Sequence, residues 1–460
     1  MPRVLPRRRR ALAFLLVPLA VAVAVSQPAE SAPRKAVAHG ANGAPSKAKV
    51  TAEPRLYHLK HGAGEPTLGW TRKGGIFVTA SDGCVTSCAG STETISTVAP
   101  GGRMIYASFD KGSSWQDRTP GAAGVSPHAI SMDPYIYVDH TPDGDRIFNI
   151  DLYVGCSILS FSDDNGASWI TNPFACGEPV NDHQTLFGGK PVSSPTIGYP
   201  HVLYYCFNHP AITKCSKSLD GGITFVPTTQ VTAPECGGLN GHGVVDAKGV
   251  VYLPLASCGR PMLAISKDEG NTWNVIRTSE LDADSGGDPS VAVDANGNLY
   301  YLFVDAEDRM PFLTISRNGG KSWSKPINVA PRSVKATNLA TLTVGKPGSI
   351  AVAYYGSTMP EDGADRRWSG YLASGVNVLT GKPTFYTAAV NGPSDILKIG
   401  ACRGRCGRVL DFIDVEIDLA GQPWAVFVDA CSTGCEKTGK ESIADNEGLV
   451  GTLVRGPKLR

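Results

Sequence analysis

The chain has 460 residues, with 43 lysines and arginines against 42 aspartates and glutamates, so its formal charge at pH 7 is +1. Without the five arginines of the first 26 residues, the charge is about −4. This balance argues against nucleic acid as a partner, because nucleic-acid-binding surfaces are strongly basic.

The first segment, "MPRVLPRRRR", is basic and is followed by an apolar stretch from Ala11 to Val25. A basic start, a short apolar run and small residues at "AVS" (Ala24 to Ser26) predict a secretory signal peptide over residues 1–26. A membrane anchor is the alternative, but this stretch is shorter than the ~20 residues that a spanning helix needs. We therefore expect a secreted, extracellular protein with no membrane span.

The next segment, residues 27–50, is rich in Ala, Pro, Ser and Lys and contains almost no large apolar residue. Such a composition predicts a disordered linker, because the segment cannot bury enough apolar surface to fold. Residues 51–460 are then predicted to form one domain.

The twelve cysteines lie in pairs of neighbours along the chain. An even number of cysteines in an exported protein favours disulfides. Three pairs with Cys-x-x-x-Cys spacing leave a zinc site as the alternative. We expect six local disulfides and no metal, in the pairs Cys84/Cys88, Cys156/Cys176, Cys206/Cys215, Cys236/Cys258, Cys402/Cys406 and Cys431/Cys435.

One short pattern, Ser-x-Asp/Asn-x-Gly-x-Ser/Thr-Trp/Phe, occurs five times at intervals of about 50 residues. Asp or Asn bonds the nearby backbone to start a turn, and Gly supplies the positive φ that other residues resist. We refer to these segments as boxes. They are "SFDKGSSW" from Ser108, "SDDNGASW" from Ser162, "SLDGGITF" from Ser218, "SKDEGNTW" from Ser266 and "SRNGGKSW" from Ser316.

A second pattern precedes the boxes and continues after them. The segment "DPSVAVDANGNLYYLFV" from Asp288 is typical of two alternating strands joined by a tight turn. Similar units begin at Glu65, Asp133, Asp182, Asn240, Asn338 and Asp411, which makes seven. Seven units of four antiparallel strands predict an all-β fold, a seven-bladed β-propeller. The last unit lacks one strand, and we expect Arg55 to Lys60 to complete it and close the ring.

The boxes resemble the Asp-box, or bacterial neuraminidase repeat, of the sialidase-like β-propeller superfamily. The resemblance covers residues 51–460 and implies the propeller fold. It also implies activity on an acidic glycan, since retaining sialidases hold a carboxylate with three arginines and use an Asp acid and a Tyr nucleophile. Tyr354 and Tyr355 are the tyrosines that follow a strand at a suitable place, although no partner Glu can be identified.

The boxes and the tight turns of the seven units must share one face of the propeller, so the remaining loops occupy the other. On that second face the units begin with a ring of polar, mostly acidic residues. Crowded carboxylates can provide an acid and a base, whereas the alternative is that each merely caps its own loop. The predicted catalytic residues are Asp133, Asp182, Asp288 and Asp411, with His183 and His242 beside them as substrate-binding residues.

Three arginines, Arg260, Arg309 and Arg367, precede the third strand in blades four to six, and Arg103 is similarly placed in blade one. Together they are able to clamp a carboxylate bidentately, so we expect them to bind substrate. Three functions remain open: a secreted hydrolase or lyase of an acidic glycan, a non-catalytic propeller that binds a glycan or a protein, and a scaffold of the cell envelope. We expect no cofactor and a monomer.

Overall fold

The structure is a computed structural model, and it describes residues 35–59, 63–81, 103–120, 133–153, 156–172, 175, 178, 181–209, 212–233, 239–284, 287–360, 363–402, 409, 411–432, 435–439, 441 and 446–460. In these residues seven antiparallel sheets form a ring through their first strands. The predicted seven-bladed β-propeller is therefore confirmed. The predicted signal peptide lies outside the described residues.

The strands of each blade are lettered A to D from the ring outwards. Blades 1 to 3 contain β3 (Thr67–Trp70), β4 (Ile76–Ser81), β5 (Arg103–Ser108) and β6 (Gln116–Asp117); β7 (Tyr135–Thr141), β8 (Gly144–Tyr153), β9 (Cys156–Ser162) and β10 (Ile170–Asn172); and β11 (Asp182–Gly189), β12 (Val202–His209), β13 (Ile212–Ser218) and β14 (Thr229–Gln230). Blades 4 and 5 contain β15 (Val244–Val245), β16 (Val251–Leu255), β17 (Met262–Ser266) and β18 (Asn274–Arg277); and β19 (Ser290–Val293), β20 (Leu299–Val304), β21 (Pro311–Ser316) and β22 (Ile327–Asn328).

Blades 6 and 7 contain β23 (Ala336–Val344), β24 (Ile350–Ser357), β25 (Arg367–Val376) and β26 (Thr384–Ala389); and β28 (Asp414–Ile417), β29 (Pro423–Asp429), β30 (Glu447–Val454) and β2 (Glu53–His58). Two further strands, β1 (Val37–His39) and β27 (Lys398–Ile399), pair with blade 6. The described helices are short: α1 (Cys435–Thr438) and 3-10 turns at Ala41–Gly43, Ser257–Gly259 and Val378–Thr380. No helix of the described residues is long and apolar enough to cross a membrane.

Each box joins strand C to strand D through nearly the same hydrogen bonds, except that in the fifth box the amide of Asn318 donates to the hydroxyl of Ser322. In the fourth box the hydroxyl of Ser266 accepts the backbone N–H of Gly270 at 2.8 Å, and Gly270 has a φ of 76°. Asp268 accepts bonds from the Thr272 backbone at 2.9 Å and from its hydroxyl at 2.6 Å. The turn is thus closed by its own side chains, as the repeated pattern predicts.

The interfaces between blades are filled by pairs of adjacent tyrosines in the B strands. Neighbouring residues of a strand point to opposite faces, so the members of each pair pack into different interfaces. Tyr300 packs with residues of blade 6 and Tyr301 with residues of blade 4, and both are fully buried. Tyr204 with Tyr205 and Tyr354 with Tyr355 repeat the arrangement in blades 3 and 6. Each blade is therefore held by both of its neighbours.

The ring is closed by the N-terminal segment, as predicted. Strand β2 pairs antiparallel with β30 over its full length, from Glu53 opposite Val454 to His58 opposite Leu449. The outer strand of blade 7 therefore comes from the opposite end of the chain.

The predicted disordered linker, residues 27–50, is wrong for the part that the structure describes. Strand β1 adds a fifth strand to blade 6 by pairing with β26. Its His39 stacks on Phe385 at 5.4 Å between ring centroids, and its Nε2 lies 2.9 Å from the Thr387 hydroxyl. The segment has few apolar residues, but the free edge of β26 offers it backbone partners that composition does not reveal.

Two of the predicted disulfides, Cys206–Cys215 and Cys431–Cys435, are present. The first joins directly opposed residues of β12 and β13 rather than stapling a loop. Cys258 and Cys402 are also disulfide-bonded, but their predicted partners lie outside the described residues. In each of the pairs Cys84/Cys88 and Cys156/Cys176, at least one cysteine also lies outside the described residues.

Blade 3 has a long A–B connection that a buried carboxylate holds in place. Glu269, at the variable position of the fourth box, is fully buried. It accepts the backbone N–H groups of Val192, Ser193 and Ser194 and the hydroxyl of Ser194. Burial opposes its ionisation, but these hydrogen bonds prevail and lower the pKa of Glu269 to about 2.

We predict that Asp268→Ala lowers the free energy of unfolding by ~1–3 kcal/mol, because three hydrogen bonds of the box turn are lost. Denaturant-induced unfolding measures this difference. Lys267→Ala is the matched control, since Lys267 is the exposed neighbour in the same box. Equal stabilities of the two variants would contradict the role assigned to the box aspartate.

A second prediction concerns the stability of the protein at acidic pH. Because the pKa of Glu269 falls from 4.5 to about 2 on folding, its contribution is complete above pH 4.5 and is lost as the pH falls towards 2. Glu269→Gln should therefore destabilise the protein by ~1–3 kcal/mol near neutral pH and by less in acid. Unfolding curves recorded over this pH range test it, and a pH-independent difference between wild type and variant would contradict it.

Candidate functional site

The residues at which the A strands begin meet at one end of the ring, on the face opposite the boxes. Most of these seven residues are buried, and Asp182 is exposed. In blade 3 the strand contains a bulge between Asp182 and Thr185, and His183 has a φ of 52°. As a result His183, rather than Asp182, is the buried residue that this strand contributes to the centre of the ring.

His183 is contacted by acidic residues from three other blades. Its Nε2 lies 2.5 Å from a carboxylate oxygen of Asp288, and its Nδ1 lies 3.9 Å from one of Asp411. Its backbone N–H donates to Asp133 at 2.9 Å. Three of the four predicted catalytic aspartates thus come together around His183, two at its ring nitrogens and one at its backbone N–H.

The charge of His183 is set by these neighbours. Burial favours the neutral form, but the carboxylates of Asp288, Asp133 and Asp411 outweigh it and raise the pKa of His183 to about 9. The ring is therefore an imidazolium at neutral pH. Burial raises the pKa of Asp133, against the opposing influence of His183 and of a hydrogen bond with Glu65.

A small cleft opens beside this cluster, and Asp288, Asp411, His242 and Phe412 are among its lining residues. The His242 ring lies between those of Tyr135 and Phe412, at centroid distances of 4.5 and 5.4 Å. Burial and the nearby positive charge of His183 lower the pKa of His242 to about 3. His242 is therefore a neutral imidazole, in contrast to His183.

The predicted arginines lie away from this cleft. Arg260 and Arg367 are exposed, and neither they nor Arg309 line it. Arg309 instead forms an ion pair with Asp284 and donates to the carbonyl of Cys402 at 2.9 Å. The side chain of Arg103 lies outside the described residues. Among the described residues, Arg260, Arg309 and Arg367 therefore do not form a guanidinium clamp at the centre of the ring.

The tyrosines considered as nucleophiles are structural. Tyr354 stacks on Tyr371 within the blade 5–6 interface, at 5.4 Å between centroids. Tyr355 bonds the backbone of Val428 through its hydroxyl, which donates to the carbonyl at 2.7 Å and accepts the N–H at 2.8 Å. Both are fully buried. Neither is placed to attack a substrate.

Phe412 is the residue of the site that the sequence did not single out. It occupies the second position of its unit, where blades 1, 2 and 5 carry proline and blade 3 carries His183. Its ring contacts both central histidines, at 5.5 Å from His183 and 5.4 Å from His242. An alignment of the seven units at this position would have revealed it.

Comparison with known proteins shows similarity of fold only. No family model and no curated protein matches the chain. Solved structures that are similar include virginiamycin B lyase from Staphylococcus aureus, with 9% identity, a TM-score of 0.46 and coverage of 87% of this chain and 99% of that one. The intramolecular trans-sialidase from Ruminococcus gnavus has 12% identity and a TM-score of 0.41, covering 86% and 95%.

The NanB sialidase from Streptococcus pneumoniae, as its K499G mutant, has 12% identity and a TM-score of 0.44, covering 86% of this chain and 70% of that one. Such values do not indicate a shared substrate. In fold, the chain is a seven-bladed β-propeller with box turns, and its own strand pairing shows this.

We predict that the His183–Asp288 ion pair makes stability depend on pH in the alkaline range. The pKa of His183 rises from 6.5 to about 9 on folding, so its contribution is complete below pH 6.5 and is lost as the pH rises through 9. The loss should reach up to roughly 3 kcal/mol, and it should be absent from His183→Gln. Unfolding curves recorded at several pH values measure it.

The double variant His183→Gln/Asp288→Asn is the control. Removing one partner leaves a buried charge unpaired, whereas removing both does not. The double variant should therefore be more stable than Asp288→Asn alone. The reverse order would show that the two residues are not coupled.

Proposed function

We propose that this protein is a secreted enzyme that acts on an extracellular glycan, as a glycoside hydrolase or a lyase, through the cleft at the centre of the ring. The observation that supports this most is the meeting of two carboxylates and a neutral imidazole in one cleft, namely Asp288, Asp411 and His242. Each of them lies two or three residues before an inner strand of the closed ring, and rigid placement is what catalytic groups need.

Asp288 is the candidate proton acceptor. One oxygen is bonded to Nε2 of His183, which fixes the orientation of the carboxylate. The other oxygen, Oδ1, is buried and has no hydrogen-bond partner among the described residues. An unpaired carboxylate oxygen in a cleft is available to accept a hydrogen bond or a proton from a bound substrate.

Asp411 is the candidate second carboxylate. It and Asp288 approach the two nitrogens of one imidazole ring, at 3.9 and 2.5 Å. This limits their separation to about 9 Å, within the range of about 5–9.5 Å over which paired glycosidase carboxylates act. One of the pair would protonate the leaving oxygen, and the other would activate water or attack the sugar.

A non-catalytic, glycan- or protein-binding propeller is the second candidate. It is favoured by the tight pairing of His183, whose side chain is 4% exposed, because this residue then stabilises the ring rather than touching a substrate. The absence of an accessible tyrosine at Tyr354 and Tyr355 also departs from the pattern of retaining sialidases.

We predict that Asp288→Asn and Asp411→Asn each lower kcat by at least ~10²-fold on a glycan that the wild-type protein cleaves, because each removes a proton-transfer group. Release of reducing ends reports hydrolysis, and absorbance of the new double bond reports elimination. Asp182→Asn is the matched control, since that carboxylate is exposed at the same end of the ring and does not line the cleft.

The box variant Asp268→Ala should keep the activity of its folded fraction. Full activity of both cleft variants, or equal losses in Asp182→Asn, would remove the central cleft as the site. A wild-type protein that binds glycans without cleaving any would support the binding propeller instead.

A further inference from the structure

The positive charge of the face that carries the boxes is concentrated in blades 5 to 7. On this face the turns of these blades, together with the C-terminal segment, span residues 294–298, 317–326, 345–349, 377–383, 418–422 and 455–460. Exposed residues in these ranges include a group that we call the basic cluster, namely Arg317, Lys321, Lys346, Lys382 and Lys458. The acids within the same ranges are Asp294 and Asp418, and both are buried.

These two carboxylates are bonded within their own turns rather than to the basic cluster. Asp294 accepts the backbone N–H of Asn298 at 3.0 Å, and Asp418 accepts that of Gln422 at 2.7 Å. No member of the basic cluster forms an ion pair with a described residue. The cluster therefore presents its positive charges to the solvent.

The members of the basic cluster lie on segments that are bonded to one another across the blades. Arg317 and Lys321 belong to the box of blade 5, Lys346 and Lys382 to the two turns of blade 6, and Lys458 to the C-terminal segment beside blade 7. The connecting bonds run from the Arg317 guanidinium to the Leu379 carbonyl, from the Val378 N–H to the Gly348 carbonyl at 3.1 Å, from the Lys346 N–H to the Leu459 carbonyl at 2.7 Å, and from the Leu459 N–H to the Gly421 carbonyl at 2.9 Å. The cations therefore belong to one connected surface.

The same face is not uniformly basic in the other blades. The first four boxes carry an aspartate at their third position, and the hydrogen bonds from Ser168 lower the pKa of Asp164 to about 2. The box of blade 5 has the neutral Asn318 at that position. In blade 4 the exposed Lys267 is the neighbour of Asp268. A negatively charged ligand is therefore attracted to blades 5 to 7 rather than to the whole face.

The arrangement favours a long polyanion over a small anion. The cations lie on turns of different blades, so a small anion contacts only one or two of them. A chain with regularly spaced negative charges contacts several at once. Each such contact releases counterions and adds to the affinity.

The other exposed groups of this surface favour a polysaccharide. Ser322, Asn377 and Thr380 are exposed polar residues of the same turns, and such side chains bond sugar hydroxyls. Leu419 is the exposed large apolar residue here, at 50%, whereas insertion into a lipid surface needs a broad apolar face. No described Phe, Tyr or Trp of blades 5 to 7 is exposed, whereas single-stranded nucleic acid stacks its bases on aromatic rings.

We propose that the basic cluster binds a linear acidic polysaccharide, on the face opposite the central cleft. Bound there, the polysaccharide keeps the protein on its glycan while the cleft stays accessible to a substrate. The inference goes beyond the proposed activity and does not depend on it.

Two decasaccharides of the same linkage position test this: α-1,4-linked galacturonate, which is negative at every sugar, and α-1,4-linked glucose, which is neutral. Calorimetry at neutral pH measures their binding to the wild-type protein. The galacturonate decamer should bind at least ~10-fold more tightly than the neutral one. Raising the NaCl concentration from about 50 to about 200 mM should weaken its binding by at least ~10-fold, because counterions compete for the cations.

The triple variant Lys346→Gln/Lys382→Gln/Lys458→Gln should bind the galacturonate decamer at least ~10-fold more weakly than the wild type, because three of the contacting charges are lost. Unfolding temperatures identify a variant that fails to fold. If the triple variant does so, Arg317→Gln/Lys321→Gln tests the same cluster from blade 5.

The matched control is Lys190→Gln/Lys248→Gln/Lys267→Gln, which removes the same charge from exposed lysines on the same face in blades 3 and 4. Its affinity for the galacturonate decamer should stay within ~2-fold of that of the wild type. Asp288→Asn should also bind the decamer as the wild type does. A loss of binding in Asp288→Asn would place the decamer in the central cleft and overturn the proposal.

The remaining outcomes separate this surface from other partners and from the proposed activity. Equal losses in the two triple variants, or no binding of the galacturonate decamer, would overturn the proposal. Tighter binding of a single-stranded decanucleotide, or of phosphatidylcholine vesicles that contain phosphatidylglycerol, would do the same by assigning the surface to another partner. Binding of the decamer without cleavage of any glycan supports the role of the basic cluster and counts against the enzymatic function alone.

Discussion

Both faces of a blade in this protein have to be buried against neighbouring blades. The tyrosine pairs in blades 3, 5 and 6 put one large ring into each of two interfaces, and these rings are fully buried. An open arc of blades would expose one such face at each end, so the apolar surface itself requires a closed ring. Strand β2, which comes from the N-terminal segment, and the short inner strands both contribute to the closed ring.

Closure also creates the candidate site. It brings the inner ends of strands from blades 2, 3, 5 and 7 to one point, where Asp133, His183, Asp288 and Asp411 meet. No two of these residues are neighbours in sequence, and the pairing of His183 with Asp288 joins blades that are not adjacent. The same contact therefore stabilises the ring and orients the carboxylate of Asp288, whose Oδ1 has no hydrogen-bond partner among the described residues.

The blades, the boxes and the closing strand are predictable from the sequence because each depends on local patterns. A box is closed by bonds between residues such as Ser266, Asp268 and Thr272, so its eight letters are sufficient to recognise it.

The site is only partly predictable. The acidic ring follows from the repeat, but the bulge that exposes Asp182 and buries His183 depends on backbone geometry within one strand. The pairing of Arg309 with Asp284 depends on a loop whose path no short pattern specifies. The edge strand at Val37–His39 was missed because its stability comes from its partner.

The closing strand has a consequence for how the chain is made. Strand β2 is synthesised before the other strands of its sheet, whereas β30, which pairs with it among the described strands, is synthesised last of the four. Until then the first strand has no partner, and the outer edge of the last blade cannot be completed. Contacts so distant in sequence are slow to form, and unpaired edges promote association between chains. A stalled or shortened chain would therefore present an open edge to other molecules. Folding of the whole ring has to wait for the last strand to emerge.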